Sequence, residues 1–107
     1  DIRSLNLFLH LADTLHFGRT SRACNITRSG LTRTIQRLEQ DLDEQLFFRN
    51  NRSVRLTETG KIFRQYASDV VRSYRILQNR ITSEHSAPRG LAQFGKKPRG
   101  TALLYSA

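Results

Sequence analysis

ITRSGLTRTIQRLEQDL, residues 26–42, is the stretch on which the reading of this chain turns. Leu31, Ile35, Leu38 and Leu42 recur at intervals of four, three and four residues, the spacing that gathers apolar side chains on one face of a helix. Arg28, Ser29, Thr32, Arg33 and Gln36 fall on another face. They are cationic or carry both donors and acceptors, as phosphates and base edges require. Thr27 precedes the periodic run and can cap it, which leaves Arg28 and Ser29 in an exposed first turn. Gly30 inside such a helix costs about 1 kcal/mol relative to alanine, and its expected role is to let the backbone come close to DNA. A helix held down on one side and presenting its N-terminal half on the other suits a DNA major groove. Taken alone, an ordinary amphipathic helix with a solvated polar face is the plainer account, so the flanking sequence has to decide.

Upstream, residues 2–15 read as a first helix with Asp1 as its cap and Leu5, Phe8, Leu9, Ala12 and Leu15 as its buried stripe. Leu7 and Leu11 lie off that stripe and call for a second partner face. Phe17-Gly18 breaks the pattern, and Gly18 is expected to cap a short second helix over Arg19–Cys24. Thr20, Ser21 and Ala23 let another helix approach, and Cys24 is expected in the core as a small apolar residue. Asn25 tolerates a left-handed conformation and can end that helix, with Ile26 plugging the turn before Thr27. A short helix, a tight turn and a longer helix with a polar N-terminal half make a helix-turn-helix.

Downstream, the period changes. Leu46-Phe47-Phe48-Arg49 and Ser53-Val54-Arg55-Leu56 are short strand-like runs that bracket Asn50-Asn51-Arg52. Asparagine pairs tolerate positive φ, so this reads as a two-stranded hairpin, a wing with Arg52 near its tip. Arg52 is expected to reach the minor groove or a phosphate, and Arg49 and Arg55 to touch the backbone. Thr57 then caps a long helix with Glu58 in its first turn, where the helix dipole favours an acid. Phe63, Ala67, Val70, Tyr74, Leu77 and Ile81 follow at heptad spacing, a seam long enough to outrun one small core and therefore expected to pair with a second copy. Burial of that seam against its own domain is the plainer alternative.

The fold class expected is mainly α: a winged helix-turn-helix with a two-stranded wing and a long linker or dimerisation helix. Residues 1–57 form the DNA-binding domain, 58–85 the linker helix, and 86–107 a basic, disordered tail with both prolines and no acid. At 107 residues there is room for one small domain and an appendage. The formal net charge of +9 favours a polyanionic partner. Its distribution says more: residues 19–37 carry five arginines and no acid, and Glu39, Asp41, Asp43 and Glu44 then separate them from Arg49, Arg52 and Arg55. No apolar run approaches a membrane span, and a single cysteine excludes an internal disulfide and fits a reducing cytoplasm. Neither a cofactor nor a metal is expected, because His10, His16 and His85 are scattered and no glycine-rich phosphate loop is present.

Ile26 to Arg33, with Ile35, Leu38-Glu39, Leu42, Leu46-Phe47, Arg49 and Leu56-Thr57-Glu58-Thr59-Gly60, resembles the DNA-binding domain of LysR-type transcriptional regulators. Phe8-Leu9-His10-Leu11-Ala12, His16-Phe17-Gly18-Arg19 and Gln36 to Leu42 resemble, within it, the subgroup that activates acetohydroxy acid isomeroreductase expression in branched-chain amino acid biosynthesis. The resemblance implies a homodimer on double-stranded DNA, in which Arg28, Ser29, Thr32 and Arg33 match base- and phosphate-contacting positions and Arg52 matches the wing. Ser29 and Gly30 stand where the family often has proline or alanine, and Asp43 where a glycine is common, a change expected to alter the turn. The metabolite-sensing domain that should follow is not recognisable in residues 86–107. The chain therefore reads as a fragment, or as the product of a gene whose frame was lost near Ser86, with no effector response. The competing function is a truncated dimerisation partner that inhibits a full-length regulator; an enzyme is the least favoured reading.

Overall fold

The computed structural model describes residues 1–85, in the order α1 (Ile2–Thr14), α2 (Phe17–Ala23), α3 (Arg28–Leu42), β1 (Phe47–Arg49), β2 (Val54–Leu56) and α4 (Glu58–His85). The chain divides into two units, Asp1–Arg72 and a second beginning at Ser73. The tail expected at 86–107 lies outside the described residues.

α1 starts where the Asp1 carboxylate accepts a hydrogen bond from the Ser4 amide at 2.8 Å, as the cap reading requires. Its buried face takes in both the expected stripe and the second face expected of Leu7 and Leu11. Leu5, Leu7, Phe8, Leu11 and Ala12 are all buried, because α1 packs against both α2 and α3. Leu15 leaves that face. It is the left-handed C-cap at φ 55°, with its amide bonded to the Leu11 carbonyl, and its side chain is exposed.

α2 begins two residues before the expected start. His16, not Gly18, is the cap: its Nδ1 accepts from the Arg19 amide at 2.9 Å. An imidazole nitrogen can supply the same acceptor as a serine or asparagine oxygen, so Phe17 and Gly18 lie inside the helix and are buried. A side chain at Gly18 would press on the His16 ring, 3.1 Å from an added Cβ. Thr14 and Thr20 share a 2.7 Å hydroxyl bond that joins α1 to α2. Cys24 is half-buried at the end of α2 and packs on the core.

The hairpin is antiparallel, with Phe47 opposite Leu56, Phe48 opposite Arg55 and Arg49 opposite Val54. Its turn does not use positive φ at the asparagines; among the described residues other than glycine, Leu15, Asn25 and Asp43 alone adopt it. Instead the Asn50 amide donates to the Ser53 carbonyl at 3.1 Å and its side-chain oxygen accepts from the amides of Arg52 and Ser53 at 2.7 and 3.0 Å, so Asn50 closes the turn with both backbone and side chain and no residue needs a left-handed conformation.

Phe8 sits at the centre of the core, its ring 5.5 Å from Phe47 and 4.9 Å, edge-on, from Phe63. Leu11, Leu31, Ile35 and Leu46 are fully buried around it. The start of α4 is pinned to this core. Thr57 accepts from the Gly60 amide at 2.8 Å, gives its hydroxyl proton to the Gln45 carbonyl and its amide proton to the Leu46 carbonyl. Gly60 is buried directly against that Leu46 carbonyl, where a Cβ would collide with backbone.

This anchor fixes the rotation of α4 and corrects the heptad reading. Ala67 is fully buried in its own unit, Phe63 packs on Phe8, and Val70 is half-buried against the same core beside buried Val71. Phe63, Ala67 and Val70 therefore pack on the core of their own unit. The other seam residues, Tyr74, Leu77 and Ile81, belong to the second unit and are 42%, 52% and 51% exposed. Replacing Gly60 with alanine is expected to destabilise the chain by about 1–3 kcal/mol, the usual cost of forced overpacking. A urea unfolding midpoint that falls accordingly is the check.

Candidate nucleic-acid interface

The turn between α2 and α3 is built from local bonds. Cys24 ends α2, Asn25 takes the left-handed conformation at φ 54°, and the Ile26 amide returns to the Ser21 carbonyl at 3.0 Å. Thr27, extended at φ −69° and ψ 154°, accepts from the Gly30 amide at 3.0 Å and starts α3. Gly30 faces inward. A Cβ there would lie 3.0 Å from the Thr27 hydroxyl and 3.1 Å from Ile26. Its small size serves the cap and the packing of Ile26.

α3 is held by one face. Leu31 and Ile35 are fully buried and Leu38 is half-buried, while Leu42, at the end of the helix, is exposed. On the outward side Arg28, Ser29, Arg33 and Gln36 are exposed, and Thr32 is half-buried beside them. Arg37, the last arginine of the acid-free run 19–37, is exposed one turn beyond Arg33. Among the described residues the ion pairs engage Arg49, Lys61 and Arg72. Arg28, Arg33 and Arg37 enter none, and neither do Arg19 and Arg22 on α2. A row of uncompensated cations interleaved with hydroxyl and amide groups can bind phosphate oxygens and read base edges. Asp43 ends the helix in the left-handed conformation at φ 55°, so the turn that glycine commonly makes is kept with a short polar residue in its place.

The three arginines of the wing have different surroundings. Arg52 is exposed at the tip, beyond the Asn50 turn. Arg55 stacks its guanidinium 5.3 Å over the ring of Phe48, its cross-strand partner on the outer face of the hairpin. Arg49 is turned inward. It donates to Glu39 at 3.2 Å and lies 5.5 Å over the ring of Phe17. Arg49 thus differs from the free backbone contact expected of it: its charge is matched by Glu39, and one of its guanidinium N–H groups is committed there.

Glu39 is the functional residue that the spacing of α3 did not mark. One carboxylate oxygen accepts from the Leu46 amide at 2.8 Å and from the Phe47 amide at 3.4 Å, and the other accepts from Arg49. Its sequence signals are an acid directly after Leu38 and the place of Leu38-Glu39 among the residues that carry the family resemblance. Among the described residues no group of His, Cys, Asp and Glu could hold a metal ion, and no helix is long and apolar enough to cross a membrane.

Comparison with known proteins agrees with this geometry. Residues 2–61 match the family model described as bacterial regulatory helix-turn-helix protein, lysR family. The HTH-type transcriptional regulator IlvY of Escherichia coli K12 is 46% identical over 84 residues, which are 78% of this chain and 28% of that protein. This chain thus spans about 28% of the length of that relative. The BenM DBD in complex with catB site 1 DNA superposes with a TM-score of 0.78 at 27% identity, over 83% of this chain and 99% of that one. DarR of Vibrio fischeri, also in complex with DNA, gives 0.74 at 28% identity, over 78% of this chain and 28% of that one. The match over more than half its length, on the elements that form the helix-turn-helix and wing, shows that the chain belongs to the LysR family of bacterial regulatory helix-turn-helix proteins.

Proposed function

We propose that this chain binds double-stranded DNA in a sequence-dependent way, as the DNA-binding portion of a transcription regulator. The observation that carries the reading is the outward face of α3, where Arg28, Ser29, Arg33 and Gln36 are exposed and the arginines enter no ion pair among the described residues. Ser29, Thr32 and Gln36 supply donors and acceptors for base edges, and Arg28 and Arg33 engage guanine edges or phosphates. Arg52 extends the contact to the minor groove or its phosphates, and Arg55 supports it from the hairpin. Likeness to IlvY, together with the sequence resemblance to activators in branched-chain amino acid biosynthesis, makes genes of that pathway the favoured targets. Such a regulator acts in the bacterial cytoplasm, at the nucleoid.

The chain acts as a homodimer. In the second unit, Tyr74, Leu77 and Ile81, together with Ile76, are large apolar side chains left exposed on the helix, and a second copy of the same surface would cover them. An inhibitor that works only by pairing with a full-length subunit would need no reading face of its own. The unpaired row on α3 favours direct DNA binding over that alternative. No catalytic role is assigned to any residue.

Arg33→Ala is expected to weaken binding to a preferred duplex by about 1–3 kcal/mol and to relax the base preference beneath it. Titration of a labelled duplex by fluorescence anisotropy measures this, and parity with the unaltered chain would remove Arg33 from the site. Leu77→Asp combined with Ile81→Asp is expected to give monomers in sedimentation velocity. Those two positions isolate the dimer contact, whereas a charge at Val70 would disturb the core of the first unit.

A further inference from the structure

We propose that Glu39 and Arg49 are positioning residues for DNA binding: they set where the wing stands against α3, and Arg49 makes no DNA contact of its own. The inference rests on the DNA-binding reading above and assigns two charged residues within it. Glu39 lies on α3 one turn after Ile35 and three residues beyond Gln36, the last of the reading row. Its carboxylate takes the amides of Leu46 and Phe47 on one oxygen and the Arg49 guanidinium on the other. The Glu39 side chain is only 11% exposed, so those amides have no ready substitute in water. Arg49 in turn covers the Phe17 ring at the start of α2. One carboxylate and one guanidinium therefore join α2, α3 and β1.

The base of the hairpin is held by Phe47, Val54 and Leu56 on the core and by Thr57 on the Leu46 and Gln45 carbonyls, but toward the turn its side-chain tie to α2 and α3 is Arg49. The strands are three residues each, and a two-stranded ribbon this short does not hold its own position. Arg49 is the last residue of β1, and Asn50, which forms the turn carrying Arg52, follows it directly. Displacing Arg49 displaces Arg52. Simple electrostatics gives the opposite expectation for the acid: a carboxylate in a unit that binds a polyanion repels it, and removing the charge should tighten binding. The two accounts of Glu39 therefore differ in sign.

The test uses the 107-residue chain and a duplex enriched with it from a random palindromic pool. Affinity is followed by fluorescence anisotropy across a salt series, with thermal unfolding of every variant in parallel. Glu39→Gln is expected to bind the enriched duplex at least about fivefold more weakly, although it removes a negative charge. Arg52→Ala is expected to lower the salt slope by about one and the affinity about tenfold. Arg49→Ala should cost a comparable factor alone and nothing further in the Arg52→Ala background, since it acts through the wing. Arg49→Lys keeps the charge but loses the planar fork and the stacking on Phe17. It should weaken binding as the alanine variant does, and it carries the test if the alanine variant does not fold. Equal or tighter binding by Glu39→Gln overturns the proposal. So does an Arg49→Ala effect that adds in full to Arg52→Ala with a further unit of salt slope. Failure of the pool to enrich any sequence would overturn the DNA-binding reading itself, and the assignment of these residues with it.

Discussion

Leu46 and Phe47 pass through the interior of the first unit, and the fold depends on satisfying the backbone there. Both side chains are buried completely or nearly so, yet this is a connecting segment with no helix of its own to occupy its polar groups. A buried amide or carbonyl without a partner costs about 1–3 kcal/mol, so each needs a specific donor or acceptor. Glu39 takes the amides of Leu46 and Phe47 from one side. Thr57 answers from the other, with its amide on the Leu46 carbonyl and its hydroxyl on the Gln45 carbonyl. The same segment thereby couples the end of α3, the first strand and the start of α4. Gly60 is part of this arrangement, because only a residue without Cβ lets α4 come so near the Leu46 carbonyl.

The distribution of arginine follows from which cations this frame consumes. Arg49 is spent on Glu39 and Phe17, Arg72 on Asp69, and Arg55 lies over Phe48. Those on the outer side of α3 and at the tip of the wing are left without carboxylate partners among the described residues. A polyanion meeting this surface has no internal ion pair to break first. Exposed pairs are worth about 0–1 kcal/mol, so each would be a small obstacle, but several together would offset much of the attraction.

The parts of the fold legible in the sequence are those governed by short-range rules. Leu31, Ile35 and Leu38 gave α3 by period alone, and Asp1, Thr27 and Thr57 marked three helix starts because a side-chain oxygen before an amphipathic run has few other roles. The second helix start was misplaced because histidine is rarely thought of as a cap, while glycine at a break in period looks like one. The hairpin is legible, but the two asparagines admit either a left-handed turn or a side-chain-capped one, and Asn50 makes the second. Gly30 and Asp43 drew attention as departures. The structure gives the first a packing reason and lets the second keep the turn.

The outward face of α3 and the apolar seam of α4 are not equally legible, for a physical reason. On α3 the apolar and polar sets oppose each other within one helix, so burying either set settles the other. On α4 two apolar demands are superposed on one helix, and a heptad count cannot divide them. A straight α-helix drifts by about 20° per heptad against a strict seven-residue repeat, so one seam can begin on a domain's own core and end elsewhere. What divides the demands is a tertiary contact, the seat of Gly60 on the Leu46 carbonyl. That contact turns Phe63 and Ala67 inward and leaves Ile62 and Tyr66 exposed in the same unit. Which apolar residues of the first unit's part of α4 face its core is therefore set by a backbone approach that no pattern of hydrophobic residues encodes.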